Sequence, residues 1–347
     1  MTSLKKLQFF LLILSVFGLF ALSGCDLITG DDDDDDETAT NLHPVLLNGN
    51  WGYIDNTGKL VIEPQFDEAR DVSGNYAAVR SGSLWGFVRV DSPGIAITPQ
   101  FSTVGNFNDQ RAPAQLPGQS FGYINTRGEF TIEPSFDFAT DFSEGLAAVR
   151  ADGLWGYVNA AGNTPISPSY SDARRFSGGL AAVETFEGWV YINGDGEVVI
   201  DPTFEISSAS TFSEDLAAIQ TTEGWGFINR SGIPVITPKY SEAGSFNNER
   251  AWIREGDYVG YIDQNDNVII EPQFNEARSF SNNLAAVRLG DDWYFIEQER
   301  GLLVIQQPFE MAQSFEDGLA RVQLGSGDNA RIGYINTNGD YIWFPTR

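Results

Sequence analysis

One unit is written about nine times along this chain, and that periodicity constrains the fold more than any local feature. Tryptophan or an apolar substitute recurs at Trp51, Trp85, Phe121, Trp155, Trp189, Trp225, Val259, Trp293 and Ile332, at intervals of 34 to 39 residues. Prolines at 64, 99, 134, 168, 202, 238, 272 and 308 keep the same step, and most precede Phe or Tyr by two residues or fewer. Ala-Ala-Val or a variant is a third anchor, as at Ala77-Ala78-Val79, Ala147-Ala148-Val149 and Ala285-Ala286-Val287. A unit of this length cannot bury its own aromatic side chains, so each must lean on the next. With 25 Phe, 12 Tyr and 8 Trp, the chain has ample material for such shared cores.

Each unit reads as three short strands, typified by Leu146-Ala147-Ala148-Val149-Arg150, Trp155-Gly156-Tyr157-Val158 and Val268-Ile269-Ile270. Helix is disfavoured, because Gly and Pro punctuate every unit and no stretch holds helical spacing. Between the second and third strands stand Asp55-Asn56-Thr57-Gly58, Asn125-Thr126-Arg127-Gly128 and Asn229-Arg230-Ser231-Gly232. There the Asp or Asn side chain can cap the turn and the glycine can take positive φ, which predicts hairpins. Glycine after the tryptophan position, as at Gly52, Gly156 and Gly226, sits inside a strand, where it costs stability. The expectation is that neighbouring backbone or an aromatic ring leaves no room there for a Cβ. Val190 and Tyr294 depart from this rule, so their units should pack differently. After the proline, aromatics such as Phe142, Phe176 and Phe280 mark a connector that should plug the gap between sheets.

The recurring Trp-Gly-Tyr-Ile/Val, Val-Ile-x-Pro-x-Phe and Phe-Ser-x-Gly-Leu-Ala-Ala-Val elements resemble the bacterial WG-repeat family, over about residue 43 to the C-terminus. The resemblance implies all-β repeats and binding or scaffolding roles, with no shared enzymatic activity and no catalytic residues to carry over. The units at Trp189, Val259 and Ile332 depart from the pattern, which puts their status as full repeats in doubt. The array reads as a propeller-like ring of about nine three-stranded antiparallel units, with an open β-solenoid as the alternative. A fourth strand is missing from each unit unless the connector pairs as one.

Residues 1–24 have the zones of an export signal: Lys5 and Lys6, then an apolar run from Phe9 to Leu22 that is too short to span a bilayer. Leu22-Ser23-Gly24-Cys25 resembles a bacterial lipobox, which implies cleavage before Cys25 and diacylation of its sulfur. Two or three acyl chains give stable anchoring where one does not. Residues 25–42 contain six consecutive aspartates, Asp31 to Asp36, and are expected to form an extended tether. Residues 43–347 are the repeat domain. These features predict a membrane-anchored lipoprotein of the cell envelope that faces the periplasm or the exterior.

The net charge of −27 argues against nucleic acid, whose phosphates require a basic patch. Cys25 is the only cysteine and His43 the only histidine, so His-dependent nucleophilic catalysis and His-ligated metal sites are disfavoured, and His43 reads as a linker residue. Glu63, Glu133 and Glu271 occupy equivalent places, which marks them as repeat features before catalytic acids. Asn193-Gly194-Asp195-Gly196 has a faint likeness to a calcium loop, but the same four positions are a turn elsewhere. Arg80, Arg150 and Arg288 should pair with nearby acids, the alternative being a recognition row; Trp155 and Tyr157 share a strand face and should be core. No cofactor is expected. The reading is a non-enzymatic binding or scaffold protein with a protein or glycan partner. The alternatives are a carboxylate-dependent enzyme acting on carbohydrate and a structural spacer.

Overall fold

The computed structural model describes residues 41–346, which form nine small antiparallel sheets arranged as the blades of a β-propeller. Blade 1 has three strands, Leu42–Leu47, Asn50–Asp55 and Leu60–Phe66. Its first strand begins at Leu42, which pairs with Asp55. Blade 2 has four, Glu68–Ala69, Tyr76–Ser81, Leu84–Arg89 and Gly94–Phe101, and this pattern repeats through blade 9, which ends in Tyr341–Thr346. The connector therefore does pair, as a two-residue inner strand: Glu68 lies opposite Arg80 and Ala69 opposite Val79. The departing units at Val259 and Ile332 are complete four-stranded blades.

The hairpins form as their turn residues dictate. Asp55 Oδ1 accepts the backbone N–H groups of Thr57 (2.9 Å) and Lys59 (3.0 Å), and Gly58 closes the turn at φ +82°. The extra residue is absorbed as a register shift between Tyr53 and Ile54. The glycine after tryptophan lies under the outer strand of its own blade. A Cβ at Gly156 would stand 2.5 Å from both the Ile166 carbonyl oxygen and the Pro168 nitrogen, closer than any side chain tolerates.

The two units without that glycine diverge in different ways. In blade 8, Tyr294 is accommodated: the outer strand keeps its length, Leu303–Phe309, while the proline slides one residue to Pro308. In blade 5, Val190 ends the pairing, and the outer strand is cut to Val198–Ile200.

Blades are joined by interdigitated aromatic rings. Each second alanine of the Ala-Ala-Val anchor leaves room for a buried Tyr or Phe on the adjacent strand, and that ring meets the connector Phe of the next blade. Tyr123 meets Phe142 at 4.8 Å between centroids and Tyr157 meets Phe176 at 4.9 Å, in edge-on geometry. The tyrosine hydroxyls donate to connector carbonyls of the following blade, Tyr53 to Arg70, Tyr157 to Arg174 and Tyr261 to Arg278, at 2.6 to 2.9 Å. A buried ring contributes roughly 1.5–3 kcal/mol, and the hydroxyl satisfies a carbonyl that burial would otherwise orphan. Because these cores straddle blades, the ring rather than the blade is the folding unit.

Candidate binding surfaces

The connectors line the axial opening, where equivalent positions of successive blades come close enough to bond directly. Asp141 Oδ1 accepts the backbone N–H of Asn106 at 2.7 Å and its Oδ2 accepts the Asn106 side chain at 3.0 Å. Ser73, Ser143, Ser177 and Ser213 each donate a hydroxyl hydrogen to the connector carbonyl one blade on. On one side of the opening the connectors carry Asp71, Asn106, Asp141 and Arg175; on the other the same position holds Thr211, Ser245, Ser279 and Ser314. Two shallow cavities open here, about 560 Å³ beside Asp109, Asp141, Glu144 and Arg175, and about 500 Å³ between Asp71, Asn106, Glu316 and Arg321. Burial raises the Asp141 carboxyl above its ordinary range against the bonds from Asn106 and the charges of Arg70 and Arg175.

Arginines brace this wall. Arg70, Arg174 and Arg278 stack on the tryptophans Trp85, Trp189 and Trp293 at 4.1, 4.8 and 5.0 Å from the ring centroids. Arg70 and Arg278 also donate to the carbonyls of Val104 and Ala312 in the next blade, both at 2.8 Å. The guanidinium is thus held between an aromatic face and a backbone acceptor, with a structural job.

The second cavity sits where blade 1 lacks an inner strand. Blade 9 compensates with side chains: Tyr334 donates to the Pro44 carbonyl at 2.9 Å, Thr346 to the Leu46 carbonyl at 2.5 Å, and Arg321 reaches Asp71 of blade 2 at 3.4 Å. The reading of His43 as a linker residue is corrected here. It is only 7% exposed in the first strand, its Nε2 is 2.6 Å from Asn56 Oδ1, and its ring lies 5.3 Å from Tyr334 in the place a connector Phe takes elsewhere. The missing connector created that vacancy, which the sequence around His43 did not reveal. Glu316, beside it, has its carboxyl pushed up by burial and by the charges of Asp71 and Asp317, against His43 and Arg321.

The other residues singled out from the sequence take ordinary places. Arg80 pairs with Glu68 and Arg288 with Glu276, so these two are local ion pairs; Arg150 lies 6.0 Å from the ring of Trp155. Glu63, Glu133 and Glu271 are exposed on equivalent outer strands. Asn193 caps its hairpin through Oδ1, accepting from Asp195 at 3.1 Å and Glu197 at 2.9 Å, as the other turns do. Tyr157 is fully buried and Trp155 packs against the same core. Among the described residues no group of three or more His, Cys, Asp or Glu could hold a metal ion, and no helix is long and apolar enough to cross a membrane. The signal-like residues 1–24, Cys25 and the tether up to residue 40 lie outside the described residues, whereas Leu42, placed at the end of the tether from the sequence, is already the first residue of blade 1.

A solved structure shares the architecture at low sequence identity. A eukaryotic initiation factor crystal structure aligns with TM-score 0.65 and 13% identity over 87% of this chain and 95% of that one. The computationally designed Ika8 protein aligns with TM-score 0.49 and 13% identity over 77% of this chain and 95% of its own. No curated protein matches the sequence. The WG containing repeat model matches at 51–85, 121–155, 155–185, 189–223, 225–258 and 260–293, together more than half of the chain. A repeat propeller of this kind is an architecture suited to protein-interaction scaffolds, and the chain belongs to the WG-containing repeat family.

Proposed function

We propose that the protein is a lipid-anchored, non-enzymatic scaffold of the bacterial cell envelope, held to the membrane through Cys25 and presenting the propeller to a protein partner. The observation that carries this reading is the repetition itself: exposed carboxylates recur at the equivalent outer-strand position of blades 1, 3 and 7, as Glu63, Glu133 and Glu271. Recognition can spread over such a surface, whereas catalysis needs one constellation. Carbohydrate hydrolysis would require a protonated acid facing a second carboxylate. Two carboxyls are raised: Asp141, both of whose oxygens are already engaged by Asn106, and Glu316, which lies near Asp71 in a cavity where Arg321 reaches that same Asp71. The signal-like residues 1–24 and the lipobox-like stretch before Cys25 support the anchoring.

The test uses the full chain in its own cells. Intact-mass analysis of the membrane-extracted protein should find the N-terminus at Cys25 with acyl chains attached, and Cys25→Ala should release the protein from membranes. In-cell crosslinking of the tagged protein should capture a reproducible partner that survives high salt washing. An unprocessed N-terminus would remove the anchor from this reading. The absence of any reproducible crosslink would remove the scaffold.

A further inference from the structure

Blade 5 departs from its neighbours for a reason those neighbours make explicit. Ile200-Asp201-Pro202-Thr203-Phe204 repeats the motif Ile62-Glu63-Pro64-Gln65-Phe66, which forms a continuous outer strand in blade 1. Yet the blade 5 outer ladder stops at Tyr191 opposite Ile200, and Trp189, paired with Glu184 on its inner side, has no outer-strand partner. In the blades on either side, Trp155 pairs with Tyr170 and Trp225 with Tyr240. The cause is Val190, since a Cβ at the equivalent Gly226 would lie 2.6 Å from the Pro238 nitrogen. The strand is pushed off its own sheet, and the edge at Trp189 is left without its outer neighbour.

The displaced segment leaves a cleft of about 270 Å³ lined by Phe186, Trp189, Val198 and Phe204. Phe186, at the tip of its hairpin, is 94% exposed, an unusual position for a large apolar ring. Trp189 is only 5% exposed, and its indole Nε1 is buried with no acceptor. An unmet buried donor costs about 1–3 kcal/mol, and the residues 201–206 near it hold no ladder that would resist displacement. The rim carries Glu187, Asp201 and Glu205, all exposed, and no Lys or Arg lines the cleft.

We propose that this cleft on blade 5 takes an extended peptide segment of a partner protein, one that carries an apolar side chain flanked by Lys or Arg. The segment adds to the free edge beside Trp189 as the missing outer strand does in other blades. Its apolar side chain sits against Phe186 and Phe204, its basic groups face the rim acids, and a main-chain carbonyl supplies the acceptor that Nε1 lacks. This inference rests on the scaffold reading and names its partner's chemistry.

The test selects peptides from a phage-displayed library of random twelve-residue sequences on the immobilised full chain. Enriched peptides should carry an excess of Lys and Arg around an apolar residue. Their binding should fall at least tenfold with Val190→Gly, which lets the chain's own segment refill the sheet. A second variant, Phe186→Ser with Glu187→Gln, alters only an exposed hairpin tip and should weaken binding at least fivefold without lowering Tm. No enrichment, peptides without basic excess, or undiminished binding to both variants overturns the assignment. In that event a reproducible crosslinked partner would still uphold the scaffold, whereas selected basic peptides without any crosslinked partner would uphold the cleft alone.

Discussion

The hydroxyl of Tyr334 donates to the carbonyl of Pro44, 2.9 Å away and 290 residues earlier in the chain. In blade 2 the equivalent carbonyl, that of Ala78, is taken by the backbone N–H of Arg70, which directly follows the inner strand. Blade 1 has no such strand, so a side chain of blade 9 supplies the donor and the ring closes across the two ends. Tyr334→Phe should therefore cost about 1–3 kcal/mol in urea unfolding, the price of an orphaned buried carbonyl. Hydrogen exchange should quicken in blades 1 and 9 first. A loss spread evenly over all nine blades would contradict this account of closure.

Val190→Gly should let the outer strand of blade 5 run on to Phe204. The expected reading is new amide protection at residues 203 and 204 with no loss of Tm, even though glycine in a strand ordinarily costs about 0.5–1 kcal/mol. Exchange at those amides that stays as fast as in the parent would count against the steric explanation.

The reverse substitution, Gly226→Val, should peel the outer strand of blade 6. Overpacking against the Ile236 carbonyl and Pro238 should destabilise by about 1–3 kcal/mol, with amide protection lost at residues 237, 239 and 240. Thermal melts and exchange on the same sample read both effects.

Glu316 should be a source of pH dependence. Its folded carboxyl is raised above the unfolded value by burial and by Asp71 and Asp317, so the charged form is disfavoured in the folded state. The resulting penalty is full above the raised value, shrinks as pH falls through it, and is gone below the ordinary glutamate range. Glu316→Gln should thus raise Tm at pH 7, by an increment that fades toward pH 4. An unchanged or lowered Tm at pH 7 would show that Arg321 and His43 outweigh the repulsion.

Arg278 stacks on Trp293 and donates to the Ala312 carbonyl. Lysine keeps the charge but cannot hold a planar stack and a directed N–H together. Arg278→Lys should cost about 1 kcal/mol and should be little affected by salt, since its acceptor is neutral. A loss that vanishes in high salt would instead point to ion pairing.

Much of this architecture was legible from the sequence because a repeat announces its own solution. The Asx-capped hairpins, the crowded glycines and the connector Phe each recur, and one physical reason covers all copies. Val190 stands out as a departure because seven other units carry glycine there. The same contrast did not separate Tyr294, whose outer strand persists with a displaced proline, from Val190, whose strand leaves the sheet. Only backbone geometry distinguishes the two.

Sequence alone determined that the chain is all-β, built from neighbour-dependent units, acidic, and furnished with a single histidine, because composition and period are local properties. The tertiary structure decided that the ring closes, that His43 fills an aromatic vacancy, and that the connector arginines are braces. Those facts depend on residues of different blades, tens to hundreds of positions apart, or on an absent strand, meeting at one point in space. Nothing in the spacing of Pro44 and Tyr334 could have revealed that one would satisfy the other.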